Sequence, residues 1–259
     1  MKKMFCVDID GTLLRSDGTI SNETKKLFVR LKEKGHEIVL CTARSRESAI
    51  NIWKSIQCSN YIITSSGSEI YNCLTKEVIY INEVDNNTCK ELYEICSNND
   101  LKISFAVDDK EYVNSSFWNN QIDIFSYNEI KDKSVKSIMV VCNDYNKSFD
   151  LFERIPNLYK VKSCCQKPEK SDIGYWFNVL DRDTSKGSAI LILSKLLHIR
   201  KNNIISFGND YNDVSMFEVS GIKCAVSNSE DCLKSKADMI IKSNDENGVF
   251  EYMYNNHFD

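Results

Sequence analysis

Short apolar runs without polar alternation recur along the chain: MFCV at 4–7, EIVLC at 37–41, YIIT at 61–64, NIISF at 203–207, IKCAV at 222–226 and DMII at 238–241. A strand with apolar side chains on both faces must be covered on both, as in a parallel sheet between helices. Helical spacing lies between several of these runs, at Ile20, Leu27, Phe28 and Leu31 and again at Ala189, Ile190, Leu193, Leu196 and Leu197. Strand alternating with helix predicts an α/β fold with a doubly wound, Rossmann-like parallel-sheet core.

The middle of the chain breaks this rhythm. The pattern there predicts a helix over 86–97, strands over 101–107, 111–114 and 135–142, a second helix over about 147–155, and strands over 159–165 and 175–181. Two helix-strand-strand units predict a small α+β domain inserted into the larger one. The core would then comprise residues 1–79 and 182–259, and the inserted cap residues 80–181. Segment RSDGT at 15–19 predicts a hairpin turn through Asp17 and Gly18, a small flap just after the first run.

Composition narrows the partners. The 259 residues are 42% hydrophobic, enough for a substantial core, and carry a formal charge of −4 from 33 basic and 37 acidic side chains. No long basic run is present to follow a phosphate backbone, so nucleic acid is not an expected partner. The apolar stretch after Lys2 and Lys3 is interrupted at Asp8, too soon for a signal peptide or a membrane span, and a cytoplasmic protein is expected. The eleven cysteines form no CxxC or Cys/His cluster, and Cys6, Cys41, Cys142 and Cys224 lie inside apolar runs. They read as small buried hydrophobes in a reducing compartment, with the adjacent Cys164 and Cys165 the one redox candidate. A monomer or small homo-oligomer is compatible with all of this.

In an open parallel sheet, ligands bind beyond the carboxyl ends of the strands. The first run ends in Asp8 and Asp10, the second in Thr42 and Arg44, the third in Ser65, Ser66 and Gly67, and the fourth in GNDYND at 208–213. Asp8 and Asp10 project to the same side of an extended chain, where two carboxylates repel unless a cation or a proton sits between them. Magnesium suits such oxygens, and Asn209, Asp210 and Asp213 could supply the opposite side of its site. Taken alone, DxD also reads as a charged turn after a strand; the DGTL continuation and the second acidic cluster weigh against that. Thr42 reads first as a helix cap, although its hydroxyl could also donate to an anion. Lys186, at the start of a helix over 186–198, is either a solvated lysine or a phosphate ligand placed where the helix dipole also attracts anions. His36, His198 and His257 lie outside every motif, which leaves a His-based relay without support.

DIDGTLL, CTAR, TSKG and FGNDYND, in this order and with an insertion between the second and third, resemble the four motifs of the haloacid dehalogenase-like superfamily. The insertion resembles that of its Cof-type branch, mostly phosphatases of sugar phosphates and other small phosphomonoesters. SSGSEIYN at 65–72 and VSNSEDCLKSKADMII with NDENGV extend the resemblance to nearly the whole chain. The resemblance implies a magnesium-dependent phosphatase of a small phosphorylated metabolite. Asp8 would attack phosphorus and form an aspartyl-phosphate; Asp10 would protonate the leaving alcohol and then activate water. Thr42, Ala43 and Lys186 would hold the phosphoryl oxygens, and Arg44, Ser66 and Gly67 would contact substrate. Asp8, Asp10 through its backbone carbonyl, Asn209, Asp210 and Asp213 would hold the magnesium.

Three positions depart from the family pattern: Asn209 replaces the first loop aspartate, Ala43 a glycine, and Ser66 an asparagine. The inserted domain would close over the site, with Asp108, Tyr112, Trp118 and Tyr175 as candidates to meet substrate and Trp118 read as packing. A phosphomutase-type transferase and a non-catalytic phosphate-binding regulator are the other readings.

Overall fold

Every residue of β1 (Met4–Val7) is both apolar and buried, and the strand occupies the middle of a sheet. The computed structural model describes residues 2–56, 60–99, 101–108, 110–116, 121–124, 126–163, 165, 167–256 and 258. Trp118, Cys164 and His257 lie outside the described residues. The chain divides into two units, Met1–Tyr80 with Ser185–Asp259, and Ile81–Thr184.

The first unit continues from β1 through α1 (Asn22–Glu33), β2 (Glu37–Cys41), α2 (Arg46–Ile56), β3 (Tyr61–Thr64), β4 (Glu69–Asn72) and β5 (Glu77–Ile81). The second contains α3 (Asn86–Asn98), β6 (Lys102–Val107), β7 (Lys110–Val113), β8 (Gln121–Asp123), β9 (Val135–Cys142), α4 (Tyr145–Leu158), β10 (Val161–Ser163), β11 (Glu169–Ser171) and β12 (Gly174–Asp181). The chain then returns to the first unit with α5 (Lys186–Leu196), β13 (Ile204–Gly208), α6 (Val214–Val219), β14 (Ile222–Val226), α7 (Asp231–Lys234), β15 (Met239–Ile241) and α8 (Gly248–Asn255).

Strand order in the first sheet is β15-β14-β13-β1-β2-β3-β4-β5, parallel from β15 to β3, with β4 antiparallel to β3. Alternation along β1 explains why helices cover both faces. Phe5 and Val7 pack with Leu27, Phe28 and Leu31 of α1 and Tyr252 and Met253 of α8; Met4 and Cys6 pack with Ala189, Ile190 and Leu193 of α5 and Met216 of α6. Ser21 caps α1 by accepting from the Thr24 amide, and Ser185 caps α5 by accepting from Ser188. The elements unread in the sequence include α2, α6, α7, α8, β8, β11 and the β4–β5 pair, whose second strand is largely exposed.

Strand order in the second sheet is β10-β12-β9-β6-β7-β8, with β11 on β12. Helices α3 and α4 pack on the face formed by Ile103, Phe105, Ile138, Val140, Phe177 and Val179. Tyr112 packs against this cluster, and Tyr175 meets the Tyr145 ring of α4. The alternate positions Ser104, Met139 and Asn178, paired across β6, β9 and β12, lie on the opposite face.

The expected hairpin at 15–19 is a turn without flanking strands. Gly18 takes φ +78°, the Arg15 and Thr19 backbones bond, and Asp17 accepts from Thr19. Ser16 and Arg15 also bond to Asp245 and Asn247, which ties the turn to the C-terminal loop instead of extending it as a ladder.

Among the described residues most cysteines are buried, as expected: Cys6, Cys41, Cys73, Cys89, Cys96, Cys142 and Cys224 are buried free thiols, whereas Cys165 and Cys232 are partly exposed. Burial pushes the Cys73, Cys89, Cys96 and Cys224 thiols up to about 12, which makes them inert. No helix among the described residues is long and apolar enough to cross a membrane.

Candidate active site

The chain leaves β1 at Asp8 and turns sharply through Gly11, at φ +74°. That φ favours glycine, and an added Cβ would also stand 2.4 Å from the end of the Asn209 side chain. That close approach brings the loop after β1 against the loop after β13, as the parallel register of the two strands allows. The Asp8 amide extends the ladder by donating to the Phe207 carbonyl at 3.0 Å.

Asp8, Asp213 and Lys186 form a buried triad. Lys186 Nζ donates to Asp8 Oδ1 at 2.7 Å and to Asp213 Oδ1 at 2.6 Å, with the lysine 1% exposed. Two carboxylates share one ammonium, so the ionised triad is one positive charge short. Burial, with repulsion from Asp213, raises the Asp8 carboxyl to about 7, against the pull of Lys186 and the Thr12 hydroxyl. Burial opposes the Lys186 charge, but Asp213 and Asp8 more than offset this and raise its pKa. The lysine is thus held charged, and the missing positive charge must come from a proton on Asp8 or a cation beside it.

Lys186 owes its place to the first turn of α5, where the Ser185 cap fixes the helix start. The second and third loops brace that start. Ser65 and Ser66 adopt positive φ and donate backbone amides to the Arg44 and Thr42 carbonyls, and Gly67, at φ +103°, lies against the Ser185 carbonyl. Ser66 and Gly67 are buried. Thr42 is 1% exposed and directly follows β2; its hydroxyl accepts from the Arg44 amide at 3.1 Å, a local turn four residues before α2, in place of the expected helix cap. Ala43 is exposed on the same turn.

The Asp10 carboxylate is held apart from the triad. Arg44 Nε donates to Asp10 Oδ2 at 2.7 Å and Nη2 to Oδ1 at 2.5 Å, while Ser48 accepts from Nη1. A planar fork fixes both carboxylate oxygens in a way a lysine could not. The Asp10 backbone carbonyl instead faces the Asn209 amide at 3.0 Å, and Asp8 Oδ2 faces the same amide atom at 3.1 Å.

In the loop after β13, Asp213 Oδ2 accepts from the Asn209 and Asp210 amides at 2.9 and 3.2 Å. The Asp210 carboxylate is spent on its own turn, accepting from the Tyr211 amide at 2.6 Å. Among the described residues no three His, Cys, Asp or Glu side chains cluster as a metal site by themselves. What converges is a mixed oxygen set. With the Asn209 amide oxygen inward, it lies 3.0 Å from the Asp10 carbonyl and 3.1 Å from Asp8 Oδ2. Oxygens about 3 Å apart match the edges of an octahedron with bonds of about 2.1 Å, the geometry magnesium demands. The residues therefore fit a magnesium ion.

Four supporting residues were not singled out in the sequence. Thr12 donates to Asn209 Oδ1 at 3.1 Å, Asn228 donates to the Gly11 carbonyl at 2.8 Å, Ser229 donates to the Gly208 carbonyl at 3.1 Å, and Asn244 donates to the Leu14 carbonyl at 2.8 Å. Asn228 and Ser229 lie in the VSNSED stretch, and the bonds show why polar residues stand there.

A model of the haloacid dehalogenase-like hydrolase family matches residues 5–253. The chain belongs to that family. This hydrolase is 29% identical over 268 residues to a candidate phosphatase of Buchnera aphidicola subsp. Baizongia pistaciae, covering 95% of each chain. It is 22% identical over 259 residues to a 5-amino-6-(5-phospho-D-ribitylamino)uracil phosphatase of Bacillus subtilis strain 168, covering 95% of this chain and 92% of the relative. A subclass IIB sugar phosphatase of the superfamily has the same fold, with a TM-score of 0.81, 19% identity and full coverage of both chains. The α/β core with its inserted unit is thus the fold of this hydrolase family.

Proposed function

We propose that this hydrolase is a magnesium-dependent phosphatase of a small phosphomonoester, such as a sugar phosphate, working through an aspartyl-phosphate on Asp8. The observation that carries the reading is the buried Asp8–Lys186–Asp213 triad, one positive charge short, beside convergent oxygens of Asp8, Asp10 and Asn209. The phosphatase names of the relatives agree with it.

Asp8 is the nucleophile. Its Oδ1 is tethered to Lys186, which limits rotation of the carboxylate and holds one oxygen for attack in line with the leaving group. Lys186 has a third N–H beyond the two it gives to Asp8 and Asp213, and this hydrogen meets a phosphoryl oxygen of the dianionic substrate. The Thr42 hydroxyl and the turn at Ala43 take the other phosphoryl oxygens. Asp10, exposed and held by Arg44, passes a proton to the leaving alcohol and then takes one from the attacking water. Asp8, the Asp10 carbonyl and Asn209 would hold magnesium, which would supply the missing positive charge and offset the charge on the phosphoryl group. Asp213 anchors Lys186 and the loop, while Asp210 caps the loop. We assign substrate selection to the inserted unit.

An activity screen over phosphorylated sugars, nucleotides and cofactors with magnesium present tests this reading. Release of inorganic phosphate from a subset of small phosphomonoesters is expected. Failure to release it from any, including a generic aryl phosphate, would contradict it.

A further inference from the structure

The Asn209 side chain can fill the cation position in two ways, and an aspartate at the same place could not. With its oxygen inward, the amide presents Oδ1 to the hydroxyl of Thr12, but that oxygen then stands against two other acceptors, the Asp10 carbonyl at 3.0 Å and Asp8 Oδ2 at 3.1 Å. Three oxygens so close repel unless a cation lies among them. With the amide turned by half a rotation, the NH2 group occupies the same point. Its two N–H groups donate to the Asp10 carbonyl at 3.0 Å and to Asp8 Oδ2 at 3.1 Å, with Thr12 Oγ1 also 3.1 Å away, and both repulsive contacts become hydrogen bonds.

We propose that Asn209 is a reversible internal substitute for the cation: its NH2 group fills the empty site, and the amide turns its oxygen inward when magnesium enters. The proposal rests on the cation site inferred above. It makes residue 209 the determinant of cation affinity in this chain. Magnesium must displace an amide already bonded to two of its ligands, and it gains a neutral oxygen where an aspartate would offer a charge. The corollary is a metal-free protein without a third carboxylate beside Asp8 and Asp213, and hence a stable one.

The test compares the full chain with its Asn209→Asp and Asn209→Ala variants, by calorimetric titration with magnesium chloride and by melting with and without it. Asn209→Asp is expected to bind magnesium at least about tenfold tighter and to melt lower when metal-free, because a third negative charge is added, half-buried, beside Asp8 and Asp213. Asn209→Ala is expected to bind about tenfold weaker or worse, through loss of a ligand. Equal affinities in wild type and Asn209→Asp, or no magnesium binding by wild type, would overturn the proposal. Should Asn209→Asp fail to fold, nitrogen-15 NMR of the wild type decides. The Asn209 side-chain NH2 pair must shift and lose its hydrogen-bonded signature on adding magnesium, and an unchanged pair at saturation would overturn the proposal. Phosphate release with these affinities unchanged removes this proposal alone; the expected affinities without phosphate release remove the phosphatase reading alone.

Discussion

Asp8 carries both the chemistry and a measurable cost. In the metal-free protein its carboxyl is raised to about 7 by burial and by Asp213, whereas in the unfolded chain it titrates near the ordinary value of 3.8. The folded state therefore binds the extra proton between these values. The contribution of this group to stability is full below about pH 4 and lost as pH rises through about 7, on the order of a few kcal/mol. Denaturant titrations in chelator at about pH 5 and about pH 8 should show wild type losing more stability over this interval than Asp8→Asn, which has no proton to lose. Parallel losses would contradict the charge-deficient triad. Arg44 is the second residue-scale test. Its pair with Asp10 is surface-exposed and worth at most about 1 kcal/mol, so Arg44→Lys should barely move the melting temperature yet lower kcat, because the fork holding Asp10 is gone. An unchanged kcat would leave Arg44 without the positioning role assigned to it.

At the scale of elements, the site depends on the start of α5 more than on any loop of its own. Gly67 lies against the Ser185 carbonyl, where a Cβ would come within 2.1 Å of the oxygen. Gly67→Ala must push the helix start away or strain a backbone at φ +103°, and either change moves Lys186 from Asp8 and Asp213. We expect at least about 1 kcal/mol of destabilisation and a larger fractional loss of turnover than of folded protein. Activity in proportion to the folded fraction would show that Lys186 keeps its place without this brace. The elements legible in the sequence were those buried on two faces, such as β1, β2 and β14, whose apolar runs have no other explanation. The β4–β5 hairpin stayed hidden because β5 is mostly exposed and its turn depends on Asn72 accepting from Leu74 and Thr75 and on a left-handed Lys76.

At the scale of the whole molecule, the placing of Asp8, Thr42 and the 208–213 loop on one rim was legible because parallel strands in one sheet deliver their ends to one side, whereas Lys186 comes from the start of α5. What each side chain does on arrival was not. The Arg44–Asp10 fork spans 34 positions and the Thr12–Asn209 bond 197, and no local pattern encodes either. The capping use of Asp210 became visible only once the loop was built. Selectivity belongs to this scale too. Trp176→Ala, in the inserted unit to which selection is assigned, should raise KM or change the preferred substrate in the panel while leaving magnesium affinity unchanged. An unaltered substrate profile would remove Trp176 from recognition.

The most direct test of the central claim is inorganic phosphate released from a responsive phosphomonoester by wild type and by Asp8→Asn, each with magnesium and with chelator, with circular dichroism confirming that both are folded. We expect turnover only in wild type with magnesium and a fall in Asp8→Asn to about the uncatalysed level. Turnover by folded Asp8→Asn at the wild-type rate, or undiminished turnover by wild type in chelator, would contradict it.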